Sequence, residues 1–175
     1  MPIRKGVFET NSSSTHSICI SSSDNLTDYL DIRVDGTLVL TGGRFGWEWR
    51  TYYDALTKAN YCAVYALNCH RYDKDRVELE MLEKVLQEVT GAKRVKFCIA
   101  DDYDCKDKID EEGDTLHWSY IDHQSSSVCA SAFSNVDRLK QFIFNPESVL
   151  QTGNDNEESR YQHRCDNCDD NDYNY

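Results

Sequence analysis

The chain has 175 residues, 39% of them hydrophobic and 29% charged, and carries a formal net charge of −12. That length suits one domain with a tail and can bury a core, while no stretch reaches the roughly 18–20 apolar residues of a membrane span. The acidity argues against a basic nucleic-acid footprint, because phosphate backbones are bound by clustered Lys and Arg. The opening Met1-Pro2-Ile3-Arg4-Lys5-Gly6 has charge but no apolar run behind it, which predicts a cytoplasmic chain without a secretory leader.

Residues 1–14 read as loop, since Asn11-Ser12-Ser13-Ser14 offers side chains that compete with backbone pairing. Thr15 to Ser21 alternates Ile18 and Ile20 with polar neighbours and predicts a strand. Between the β-prone runs of Leu30 to Leu40, Asp35-Gly36 is a hairpin signal. Thr41-Gly42-Gly43-Arg44-Phe45-Gly46 follows as a flexible turn leading into Trp47 and Trp49.

Two helices come next. Tyr52, Leu56, Ala59, Ala63 and Ala66 share one helical face, as do Leu79, Leu82, Leu86 and Val89, with Asp75 as N-cap and Gly91 as stop. Arg94 to Ala100 and Trp118 to His123 read as strands, Val136 to Phe144 as a helix ended by Pro146, and Ser148 to Gln151 as a final strand. The order predicts an α+β fold: one domain over 1–152 with a largely antiparallel sheet, a helical pair and a short C-terminal helix, then an acidic tail over 153–175.

The acidity is concentrated in two segments. Residues 100–114 hold eight acids against two lysines, and residues 154–175 hold seven acids against two arginines, which leaves the rest of the chain nearly neutral. Such density describes either solvated segments or a negative surface that competes with nucleic acid for a basic partner. On the second reading the contacts are Asp101, Asp102, Asp104, Asp107, Asp110, Glu111, Glu112 and Asp114.

Eight cysteines in a cytosolic chain are expected to stay reduced. Cys165 and Cys168, three positions apart, with His163 just upstream, supply three tetrahedral zinc ligands. A fourth would have to come from far along the chain, and the alternative is a free thiol pair in a disordered tail. A calcium loop fails on spacing, because Lys106 stands where a third oxygen ligand belongs.

Two polar stretches hold more reactive side chains than a core needs: Phe8 to Ser17 (FETNSSSTHS) and Tyr120 to Ser127 (YIDHQSSS). If their strands were neighbours, His16 and His123 would face one cleft, with Asp122 or Glu9 orienting an imidazole and Ser14 supplying a hydroxyl. Those are the ingredients of acid–base or nucleophilic chemistry, although no known catalytic motif fixes a reaction class. The plainer alternative is that these groups tie down a loop.

The KGVFETNSSSTHS opening, the YIDHQS segment and the FIFNPESVL–TGNDN run resemble a family of small proteins encoded by bacteriophages and their bacterial hosts. The likeness spans most of the chain. It implies origin rather than mechanism, and with it a class of function in which an acidic phage protein blocks a host defence or transcription protein. The expected function is therefore inhibition of a host nucleic-acid-handling protein through its basic surface, with no direct nucleic-acid or membrane contact. The alternatives are a small hydrolase or transferase, zinc-assisted or not, and a phage scaffolding protein.

Overall fold

The computed structural model describes residues 14–23, 25–26, 30–72, 76–100, 102, 104, 107–122, 125 and 127–154, with the backbone alone for 70–72. These residues form a single α+β domain. Its strands are β1 (Ser17–Cys19), β2 (Thr37–Leu40), β3 (Arg44–Phe45), β4 (Arg50–Tyr52), β5 (Arg94–Phe97), β6 (Ile99–Ala100), β7 (His117–Trp118), β8 (Tyr120–Ile121) and β9 (Val149–Thr152). Helices α1 (Ala55–Tyr72) and α2 (Val77–Thr90) lie between β4 and β5, and a 3₁₀ helix (Val128–Ser134) runs into α3 (Val136–Phe144).

Three helix ends have a local chemical cause. Asp54 Oδ1 accepts the Thr57 N–H at 2.7 Å to start α1, and Asn135 Oδ1 accepts that of Arg138 at 2.8 Å to start α3. Gly91 ends α2 in the left-handed region, its N–H returning to the Gln87 carbonyl. Asp75 lies outside the described residues. On α2 the buried positions are Leu79, Leu82, Val85 and Leu86, and α3 buries Leu139, Phe142, Ile143 and Phe144. Each such side chain contributes about 1.5–3 kcal/mol.

Helix α1 departs from its predicted face. Ala59, Cys62, Ala63 and Ala66 are buried as expected of small residues at a close helix contact, but Leu56 is 46% exposed. Tyr52 belongs to β4 rather than to the helix. Lys58, Asn60 and Tyr61 instead occupy interior positions.

Strand pairing places β9 at the centre of an antiparallel sheet between β1 and β4. Three further pairs are parallel: β2 with β5, β6 with β7, and β3 with β8. The segment 94–100 thus lies between two others. The Cys98 N–H bonds Leu40 O at 2.8 Å on one side, and Cys98 O accepts the His117 N–H at 3.0 Å on the other. The Asp35-Gly36 turn forms as expected, with Gly36 at φ +88° and an Ile32–Leu38 bridge. At the far end the fold continues to Asn154, which bridges to Ser14. Among the described residues no helix is long and apolar enough to cross a membrane.

Candidate functional site

The Thr15 and Trp118 strands are not sheet neighbours: β1 pairs with β9 and β8 with β3. Their ends nevertheless meet. Ser14 Oγ donates to Asp122 Oδ1 at 2.8 Å and lies 2.9 Å from Ser125 Oγ. Ser125 Oγ accepts the His16 N–H at 3.1 Å and donates to Ser14 O at 3.1 Å. Of the four residues expected in a catalytic cluster, Ser14, His16 and Asp122 come together, and His123 lies outside the described residues.

Their chemistry is structural in kind. His16 is buried, with Nε2 at 2.9 Å from Gly46 O and Nδ1 at 3.1 Å from Tyr61 Oη. The carbonyl can only accept, so Nε2 carries the proton and Nδ1 accepts from the tyrosine. Burial lowers the pKa of the imidazole, against the Gly46 bond and the Asp122 charge that raise it. Burial also pushes the Tyr61 phenol well up. The ring is therefore held neutral with both nitrogens occupied, and Ser14 Oγ is bonded to a carboxylate rather than to the imidazole. No Ser–His–Asp relay is assembled.

Asp122 does have a second face. Its Oδ2 accepts the Trp47 Nε1–H at 3.0 Å, and the residue forms part of the wall of a pocket of about 730 Å³. The opposite wall is the glycine-rich stretch 42–46 together with the first turns of α1. Gly42 is required there: its φ is +69°, and an added Cβ would collide with the Ser119 side chain. Asn60 Oδ1 fixes that turn by accepting the Gly42 N–H at 2.7 Å. The spacing of Gly42, Gly43 and Gly46 was legible as a turn, whereas Asn60 and Tyr61 were readable only as polar residues on an otherwise apolar helix face.

The acidic segment is ordered over 107–116. Ile109 bridges Thr115, and Asp110 Oδ1 accepts the N–H groups of Glu112 and Asp114, each at 2.9 Å. Three of its acids are matched within the chain. Arg33 grips Asp114 through both guanidinium arms (2.9 and 2.6 Å), and Arg94 grips Glu112 likewise (2.9 and 2.9 Å). Lys96 Nζ contacts Asp110 at 2.8 Å and Glu112 at 3.0 Å, and also contacts Asp114. Arg33, then Lys96, holds the Asp114 carboxyl well below the usual carboxylate range. Burial opposes the Lys96 charge, but the bonds to Asp110, Asp114 and Glu112 outweigh it. Asp102, Asp104, Asp107 and Glu111 remain exposed, and Asp101 lies outside the described residues.

Cys165, Cys168 and His163 also lie outside the described residues. Among those described, Cys98, Asp110 and Asp114 bring ligand atoms within 4.8 Å of one another. Lys96 occupies both carboxylates there, and burial pushes the Cys98 thiol up, so the donor set suits an ammonium better than a metal. Cys62 and Cys129 are buried thiols with Sγ atoms 3.7 Å apart, whereas Cys19 is disulfide-bonded, against the expectation of reduced cysteines. Comparisons with protein-family models, with curated proteins and with solved structures return no match.

Proposed function

We propose that this is a phage-type binding protein that captures a host nucleic-acid-handling protein by its basic surface, using the acidic turn 107–114. The observation that carries this reading is the way the turn is held. Arg33, Arg94 and Lys96 pair with the side chains of Asp110, Glu112 and Asp114, while Asp107 and Glu111 are exposed to solvent. A charged loop ordered in advance loses less entropy on binding than a solvated one. Apolar anchors accompany the charge: Ile109 is 70% exposed, and Val34, beside Arg33 on the facing turn, is fully exposed. Charge supplies rate and specificity, and anchors of this kind supply affinity. The buried, doubly bonded His16 supports binding rather than nucleophilic catalysis.

The test uses the full chain as bait in host lysate, with an Asp107→Asn/Glu111→Lys variant beside it. Neither position belongs to the internal pairs, so the variant should fold. The expected result is a basic nucleic-acid-binding protein held at about 0.05 M salt, shed at about 0.5 M, displaced by duplex DNA and not held by the variant. Equal capture by the variant, or indifference to both salt and DNA, would overturn the reading.

A further inference from the structure

The pocket beside Asp122 is separate from the acidic turn and has a different chemistry. We propose that it binds a nucleoside phosphate. Its volume of about 730 Å³ falls within the roughly 300–1,000 Å³ of small-molecule sites.

Three kinds of group line it. Arg44 is exposed and forms no ion pair among the described residues, so its guanidinium is available to an anion. Arg50, a second cation, is held at the same mouth by Glu48. Trp47 offers an aromatic face at 49% exposure, and its ring is fixed by the bond from Nε1 to Asp122. The floor supplies Asn60, which is only 7% exposed. Its Oδ1 is taken by Gly42, its Nδ2 has no hydrogen-bond partner among the described residues, and the residue lines the pocket. That donor is accessible rather than sealed off, because among the described residues the buried side-chain nitrogen or oxygen without a partner is Ser131 Oγ, so a ligand or water can meet it.

The combination selects the ligand class. An inorganic anion would engage the arginines and leave Trp47 and Asn60 unused. A neutral sugar would leave Arg44 unused. A nucleotide brings a planar base for the indole, hydroxyl or amino donors for Asp122, an acceptor for Asn60 Nδ2 and a phosphate for Arg44. Asp122 is prepared for that role, because Ser14 and Trp47 hold one oxygen each and fix the carboxylate plane.

The experiment is titration calorimetry on the full chain with the mono- and diphosphates of adenosine, guanosine, cytidine and uridine, and with inorganic phosphate and free adenosine as half-ligands. At least one nucleotide should bind at 1:1 with a Kd on the order of 0.1 mM, and both half-ligands should bind more weakly. Arg44→Ala removes an exposed side chain with no internal partner, so the variant should fold, and it should weaken binding about tenfold. Asn60→Asp, which keeps the acceptor for Gly42 but replaces the donor with an anion, should weaken it further. The proposal falls if no nucleotide saturates the protein by about 5 mM, if phosphate alone binds as tightly, or if Arg44→Ala leaves the affinity unchanged. Arg44 shares no bond with the acidic turn, so capture of a basic protein should persist in Arg44→Ala whichever way the titration falls.

Discussion

His16 looks catalytic in sequence and acts as a pin in the fold. Its ring ties the Gly46 carbonyl of the pocket wall to Tyr61 on α1. The neutral form is the one that fits. With the folded pKa below the unfolded 6.5, the stability this group contributes is present above about pH 6.5 and is lost as the pH falls through the folded value. The urea midpoint should therefore drop between about pH 7.5 and about pH 5.5, and a His16→Gln chain should be weaker at the upper pH with a flatter dependence. Lys58 is a second base whose charged form burial disfavours. Its Nζ donates to Asn145 O at 2.7 Å and Ser148 O at 2.9 Å beyond the end of α3, and burial lowers its pKa from 10.5 to about 8. Between those values the unfolded chain holds the proton and the folded one sheds it, so stability attributable to Lys58 rises with pH across that window. Lys58→Met should cost about 2 kcal/mol near pH 7 through the carbonyls it leaves. Subtracting the variant's denaturation midpoints from those of the parent should isolate the slope.

At the scale of elements, the acidic turn shows how a segment that reads as a solvated loop becomes fixed. Its acids were visible in sequence, but the bases that order it come from Arg33 before β2 and from Arg94 and Lys96 on β5, and no local pattern links them. Lys96→Met would leave Asp110, Glu112 and Asp114 crowded with one cation fewer. Amide exchange across 108–116 should become roughly tenfold faster, while the α2 amides stay protected. The carboxyl pKa values, now depressed, should rise, so the parent's ordering of the turn should fail only as the pH drops below the unfolded 3.8 of an aspartate. Elements with their own spacing and caps were legible. Helices α2 and α3 follow their apolar periodicity, and Asp35-Gly36 makes its turn. Helix α1 was read in part: Ala59, Ala63 and Ala66 lie on its inner face as expected, whereas Leu56 is exposed and Cys62 is buried with the alanines. The parallel pairs were unreadable for another reason: the segments 94–100 and 118–123 read as strands, but short strands joined by long crossovers carry nothing that says which distant strand each one pairs with.

Across the whole molecule, segments far apart in the chain meet at one place. Ser14 bonds Asp122 and bridges Asn154, the Thr15 N–H reaches Gly153 O, and Asn154 Nδ2 donates to Trp47 O at 3.0 Å. Of those positions, Trp47 and Asp122 line the pocket. The polar residues could be named from sequence, but their connectivity could not, because it depends on separations of more than a hundred residues. If the junction is one cooperative unit, Ser14→Ala and Asp122→Asn should not act independently. Each should lower stability, because Ser14→Ala removes the donor of the 2.8 Å bond and Asp122→Asn weakens its acceptor from a carboxylate to an amide, and the double variant should lose less than the sum by about 1 kcal/mol. Asp122→Asn should also shift the Trp47 emission, since the indole loses its charged acceptor, whereas Ser14→Ala should shift it less. Additive losses in urea midpoints would mean that the two ends of the chain close the fold separately. The pocket would then not depend on the N-terminal segment for its shape.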